Sequence, residues 1–285
     1  MSPVGPACAA FVPRKAACRG LFIAALALAS WVAPAAAAAD VVRIGGTGMA
    51  LAAMREIGDT FTATAPGVTV EVLPSLGTPG GLRALQERAI DIAVTGRRLK
   101  PDERAKGFVE AFCLRTPLAF VSSHPAPPGV RSADLPRLYS EVSPRWPDGK
   151  PLNVILRTRA GSENGYLVAF EPKMAAALEA AYGRSGVPVA TTDQENADRA
   201  QRIDGSLTVM SVLQLRAEKL DLRPVALDGV EPRAVSLEDR TYPLWVAVCA
   251  VTQGEPRPET RRLLSYLRSP AGLDLLRAYG AIPIE

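Results

Sequence analysis

Between residues 41 and 95 the chain alternates short β-branched runs with helically spaced apolar residues, and few folds accept that order. Residues 41–44 predict a strand. Residues 48–63 predict a helix with Leu51, Met54, Ile57 and Phe61 on one face. Residues 68–73 alternate as a second strand, 80–88 predict a short helix, and 91–95 a third strand. Strands joined through helices lie parallel, with the helices covering the sheet faces. The expected class is therefore α/β.

Two further apolar strands are expected at 108–114 and 117–122. The turn-rich segment 124–129 then breaks the pattern. The middle of the chain predicts its own strands (152–156, 206–210) and helices (133–139, 162–170, 173–182). An apolar run at 242–251 precedes two helices, 258–267 and 270–279, each with proline in its first turn, where a missing N–H costs nothing. No internal repeat is present. The 285 residues suffice for two modest domains, and 48% hydrophobic against 22% charged residues excludes a disordered chain.

Residues 1–39 read as a cleavable export signal. Arg14, Lys15 and Arg19 precede an apolar run, and Ala37 and Ala39 fit a small-residue cleavage site before Asp40. The formal charge of +4 belongs largely to that segment, because without its three cations 30 basic residues face 29 acidic ones, a net of +1. No clustered basic face remains, so no nucleic-acid partner is expected. Cys8 and Cys18 would leave with the signal. The remaining pair, Cys113 and Cys249, reads as a disulfide in an oxidising compartment or as two buried small hydrophobes.

Three loop-to-helix junctions can carry chemistry: Gly45-Gly-Thr-Gly48, Gly77-Thr-Pro-Gly-Gly81 and Gly161-Ser-Glu-Asn164. Helix N-termini expose unpaired N–H groups and partial positive charge, and glycine lets a ligand approach the backbone. The hydroxyls of Thr47, Thr78 and Ser162 either cap their helices or donate to a ligand. A dinucleotide fingerprint fails at Leu51, where the third glycine would stand, and no Walker lysine follows. No cofactor is expected. His124 is the only histidine, so a histidine metal site is excluded and a Ser-His-Asp triad has one candidate, in a proline-rich turn. Neither a metal site nor an enzyme is expected.

Read in order, these segments resemble the periplasmic phosphate-binding proteins that serve ABC importers. The likeness rests on Ile44-Gly-Gly-Thr-Gly48, Gly77-Thr-Pro-Gly-Gly81, Asp91-Ile-Ala-Val-Thr-Gly-Arg-Arg-Leu99, Leu135-Pro-Arg-Leu-Tyr-Ser140 with Trp146-Pro-Asp-Gly149, and Arg157-Thr-Arg-Ala-Gly-Ser-Glu-Asn164. It continues through Tyr242-Pro-Leu244, Leu267-Arg-Ser-Pro-Ala-Gly272 and Gly280-Ala-Ile-Pro283. The resemblance implies two α/β lobes, each a mixed sheet flanked by helices, joined by two crossing strands and closing on a ligand. Lobe one would hold residues 40–118 and 247–285, and lobe two residues 119–246.

The implied protein is a periplasmic or secreted monomer that binds a small oxyanion or polar ligand and partners an ABC importer membrane complex. Its ligand would meet Thr47, Gly48, Thr78 and Ser162, with charge from Arg157, Arg159 or Arg97. The chain departs from the family pattern at Met49, Gly96, Thr158 and Glu163, which stand where the family has a threonine, an aspartate, an arginine and a glycine. Phosphate is accordingly expected to bind weakly or not at all. The alternative is a two-lobed signalling or interaction module with a degenerate cleft. In such a fold the crossing strands run antiparallel, and a register with Cys113 opposite Cys249 would allow a disulfide and put Phe120 opposite Tyr242.

Overall fold

The computed structural model describes residues 40–284. In chain order the first elements are β1 (Asp40–Gly46), α1 (Gly48–Thr64), β2 (Val68–Val72), α2 (Gly77–Gln86), β3 (Ile92–Thr95) and α3 (Pro101–Ala105). The long strand β4 (Phe108–Ser122) leads to α4 (Leu135–Ser140), β5 (Asn153–Val154) and β6 (Leu156–Arg157). Next come α5 (Ser162–Phe170), α6 (Met174–Tyr182), β7 (Val189–Ala190), α7 (Asp193–Arg202), β8 (Ser206–Ser211), α8 (Val212–Ala217) and β9 (Arg223–Pro224). Last are α9 (Ala234–Glu238), β10 (Trp245–Gln253), α10 (Pro258–Leu267), α11 (Pro270–Ala278) and β11 (Ile282–Pro283).

The main sheet runs in the order β2-β1-β3-β10-β4-β8-β5, with β9 and β11 also pairing to β4. As the alternating pattern requires, β1 lies parallel to β2 and to β3. β10 is antiparallel to both β3 and β4. β6 and β7 form a separate parallel pair. The molecule is thus α/β with mixed sheets flanked by helices, and β4 is shared by both ends of the main one.

The central strands are buried on both faces for most of their length, and successive residues alternate between two packing clusters, as a pleated strand imposes. Leu114, Leu118 and Phe120 of β4 join Val246, Val248 and Ala250 of β10 in one core cluster. On the other face, Cys113, Cys249 and Val251 pack with Leu82, Leu85 and Ile90, while Ala119 and Val121 pack with Met210 and Leu215.

One expectation needs correcting. Residues 108–114 and 117–122 are a single 15-residue strand, β4. Pro117 suggested a break, but it sits opposite Trp245, at the last rung of the β10 ladder. From Leu118 onward β4 pairs with β8. Proline is tolerated there because its missing N–H faces the edge away from β10, between the pairings to β11 and β8.

Cys113 lies opposite Cys249 in that ladder, and the two sulfurs are joined, with Cα atoms 4.1 Å apart. The same register reaches Leu118, whose N–H donates to the Leu244 carbonyl. Phe120 does not face Tyr242: the β10 ladder has ended, the Phe120 carbonyl accepts from the Val225 N–H, and on the other edge Phe120 is opposite Val209 of β8. The expected export signal, 1–39, lies outside the described residues. Among the described residues no helix is long and apolar enough to cross a membrane.

Candidate functional site

The three glycine-bearing junctions open α1, α2 and α5, as their composition predicts, but the glycines do different work. Gly46 has φ +134, and a Cβ there would fall 2.0 Å from the Val94 carbonyl oxygen. A Cβ on Gly81 would fall 2.7 Å from the Gly46 Cα. This pair serves close packing of α2 against the sheet rather than access for a ligand.

Thr78 and Ser162 meet at Gly96. The Gly96 N–H donates to Thr78 Oγ1 (2.9 Å), and the Tyr166 hydroxyl donates to the Gly96 carbonyl (3.4 Å). A Cβ on Gly96 would lie 3.0 Å from Met49 Cε and 3.3 Å from Ser162 Oγ. The buried thioether of Met49 therefore fills the space between these loops.

Beside Met49 is the densest polar cluster of the molecule's interior. Arg157, Glu163 and Asp193 are all buried. Arg157 donates from Nη2 to Asp193 Oδ1 (3.0 Å), from Nη1 to the Thr192 carbonyl, and from Nε to Glu163 Oε1 (3.4 Å). The other Asp193 oxygen accepts from the Thr47 hydroxyl (3.4 Å) at the start of α1, beside the Met49 N–H. Gln194 holds the Gly48 carbonyl from the same side (3.2 Å), and the Ser211 hydroxyl donates to the Met49 carbonyl (2.9 Å). A Cβ on Gly48 would fall 2.5 Å from Gln194 Oε1 and 2.7 Å from Asp193 Oδ2, so this glycine is required by the contact.

α1 has no side-chain cap of its own and no acid in its first turn. The Asp193 carboxylate, on a helix far along the chain, stands against this start, as the positive end of a helix dipole favours. Burial pushes the Asp193 carboxyl up to about 6, opposed by Arg157 and reinforced by the neighbouring Glu163 carboxylate. Two carboxylates share one guanidinium here.

Thr47, Gly48, Thr78, Ser162 and Arg157 are thus brought to one junction. Arg159 and Arg97 are engaged elsewhere. Arg159 is exposed, pairs with Glu179 and stacks on the Tyr182 ring at 4.3 Å. Arg97 makes a two-pronged pair with Glu103 (2.8 and 2.7 Å), and that bond holds the Glu103 carboxyl down at about 2. Arg157 and Arg159 are two positions apart, a strand spacing that would put them on one face, but Arg157 is the last residue of β6 and the chain turns after it.

Asp193 and Gln194 carry no signal of apolar periodicity. The inner face of α7 consists of Asp193, Asn196, Ala197 and Ala200, so no apolar stripe marks it. The sequence does hold one sign, Thr192-Asp-Gln-Glu195. The Thr192 hydroxyl accepts from the Glu195 N–H (3.0 Å), the Ser/Thr-x-x-Glu form of a helix start.

Other polar groups find structural roles. His124 Nε2 lies 2.9 Å from Asp148 Oδ2, and its Nδ1 accepts from the Ala126 N–H. Glu110 lies beside both cysteines, but it is paired with Arg98 and Arg104, and the bonded sulfurs offer no thiolate to a metal. A cavity of ≈ 860 Å³ is lined by Val41, Arg43, Asp91 and Arg257, at the starting ends of β1 and β3. Ligands of open α/β sheets sit at the opposite, carboxyl ends of the strands, where Gly46 and Gly96 are. The converging loops, not that cavity, mark the candidate site.

Residues 32–271 match the family model described as PBP superfamily domain. No curated protein matches the chain. Among solved structures, a protein described as a phosphate ABC transporter substrate-binding protein from Clostridium perfringens, solved with bound phosphate, is 18% identical. Its TM-score is 0.70, over 86% of this chain and 100% of that one. An ABC-type phosphate transport receptor from Vibrio cholerae is 15% identical, with a TM-score of 0.56 over 85% and 99%. A reduced form of OxyR from N. meningitidis is 13% identical, also at 0.56, over 86% and 99%. At these identities the likeness is one of fold, and it extends to proteins of different function.

Proposed function

Because the chain belongs to the PBP superfamily, we propose that it is an exported solute-binding receptor whose interlobe cleft takes a small oxyanion or another polar ligand. In this reading lobe one comprises residues 40–118 and 247–285, lobe two residues 119–246, and the cleft lies where α1, α2, α5 and α7 meet. The observation that carries it is the convergence of Thr47, Thr78, Ser162 and Arg157 at the carboxyl ends of β1 and β3. Hydroxyl and guanidinium donors gathered at helix starts suit an anionic or polar guest. A monomer exported across a membrane and handing its ligand to an ABC importer complex fits the description carried by the C. perfringens neighbour.

Phosphate itself is disfavoured. Gly96 offers no carboxylate to accept the proton of hydrogen phosphate, and Glu163 brings a negative charge to the same guanidinium. A charge-assisted hydrogen bond contributes about 1.5–3 kcal/mol, so the loss of two such groups lowers affinity by about 10²–10⁴. Calorimetric titration with phosphate, sulfate and small organic anions tests the reading. Micromolar or tighter binding of one of them, lost in S162A, is the expected result. A second reading, an interaction module with a degenerate cleft, is favoured by one observation: Arg157 is already engaged by two carboxylates and a carbonyl of the chain. It is the better account if no member of the panel binds.

A further inference from the structure

We propose that Asp193 is an occupant that the chain supplies to its own anion seat, and that this carboxylate decides which ligands the cleft refuses. The inference deepens the receptor reading above and rests on it.

A free oxyanion at the start of α1 would need backbone N–H groups, a nearby hydroxyl and a guanidinium. Asp193 takes the Thr47 hydroxyl and Arg157 Nη2, and it lies beside the Met49 N–H. The fit is close enough that Gly48 has no room for a side chain. A 17-residue helix without a cap or a first-turn acid leaves its donors to whatever anion reaches them, and here that anion is part of the protein. Asp193 and Thr47 are 146 residues apart in sequence, so the contact is tertiary and can open without unravelling either helix.

Glu163 completes the arrangement by taking Arg157 Nε, while the Thr192 carbonyl takes Nη1. Each guanidinium nitrogen thus has a partner within the chain, and an incoming anion must compete with them. An internal carboxylate competes at a high effective concentration, because it need not be gathered from solution. With both carboxylates ionised, two negative charges already face one positive charge, and a dianion is opposed further. Specificity here rests on a repulsive element as much as an attractive one.

The test is calorimetry at pH 7.5 on the purified protein with its disulfide intact, using sulfate and phosphate as probes. D193A is expected to bind at least one of them ten times or more tighter than the wild type. The gain is expected to vanish in the double variant R157Q/D193A. D193N, which keeps the size of the side chain, serves in its place if D193A fails to melt cooperatively. A folded Asp193 variant that gains nothing for either anion overturns the proposal, as does a gain that survives removal of Arg157. If an organic anion of the panel binds wild type and D193A alike, the self-occupancy proposal alone falls. If nothing binds any variant, the receptor reading falls with it.

Discussion

At the scale of single residues, Asp193 links position to charge. Its carboxyl titrates near 6 in the folded protein, above the ordinary carboxylate range, chiefly because it is buried. The folded state therefore holds this proton more tightly than the unfolded chain does. Ionised Asp193 weakens the fold, and stability from this group rises as pH falls from above 6 towards 4, the ordinary range of the unfolded carboxyl. Urea unfolding of wild type and D193N between pH 7.5 and 4 checks this. The wild type is expected to gain on the variant as the solution is acidified, and parallel curves would contradict the assignment. Thr47, Gly48, Thr78 and Ser162 can be nominated from the sequence because glycine and hydroxyls at helix starts have a local signature, and the structure brings them to one junction with Arg157. Asp193 cannot be nominated so, because what makes it part of the site is a partner 146 residues away. The pairing of Arg97 and Arg159 is equally hidden, since the acids that engage them, Glu103 and Glu179, are assigned by folding and not by spacing.

At the scale of elements, α1, α5 and α10 matched their periodicity almost to the residue, since each has apolar side chains on one face or a clear start signal. The sheet order was less accessible. The insertion of β10 between β3 and β4 joins strands from distant parts of the chain, which no local pattern encodes. α5 offers a direct test of local propensity. Gly165 lies exposed within it, a Cβ there would meet nothing within 4 Å, and its φ is ordinary. G165A is expected to stabilise the protein by about 0.5–1 kcal/mol, the usual helix preference of alanine over glycine. A lower melting temperature would show that α5 needs the freedom of glycine, for instance to move with its ligand.

At the scale of the whole molecule, the Cys113–Cys249 bond ties the two central strands where both are buried. The sulfurs bridge a sequence separation of 136, and closing so long a loop restricts the unfolded chain. C113S/C249S, compared with the oxidised wild type by thermal melting, is expected to lose about 2–5 kcal/mol. A reductant should lower the melting temperature of the wild type and leave the variant unchanged. Equal melting temperatures for the two proteins would mean that β4 and β10 hold their register through packing and hydrogen bonds alone.

That bond also changes the covalent topology of the molecule. Residues 113 to 249 form a closed ring, with the N-terminal and C-terminal stretches leaving it as two tails. A single protease cut anywhere inside the ring opens it without producing two molecules, because the fragments on either side remain joined through sulfur. Every junction helix of the middle region, α5 and α7 included, is inside that ring, while α1 and α2 are outside it. A nicked protein of this kind keeps both sides of its candidate site on one covalent particle, and only reduction separates them.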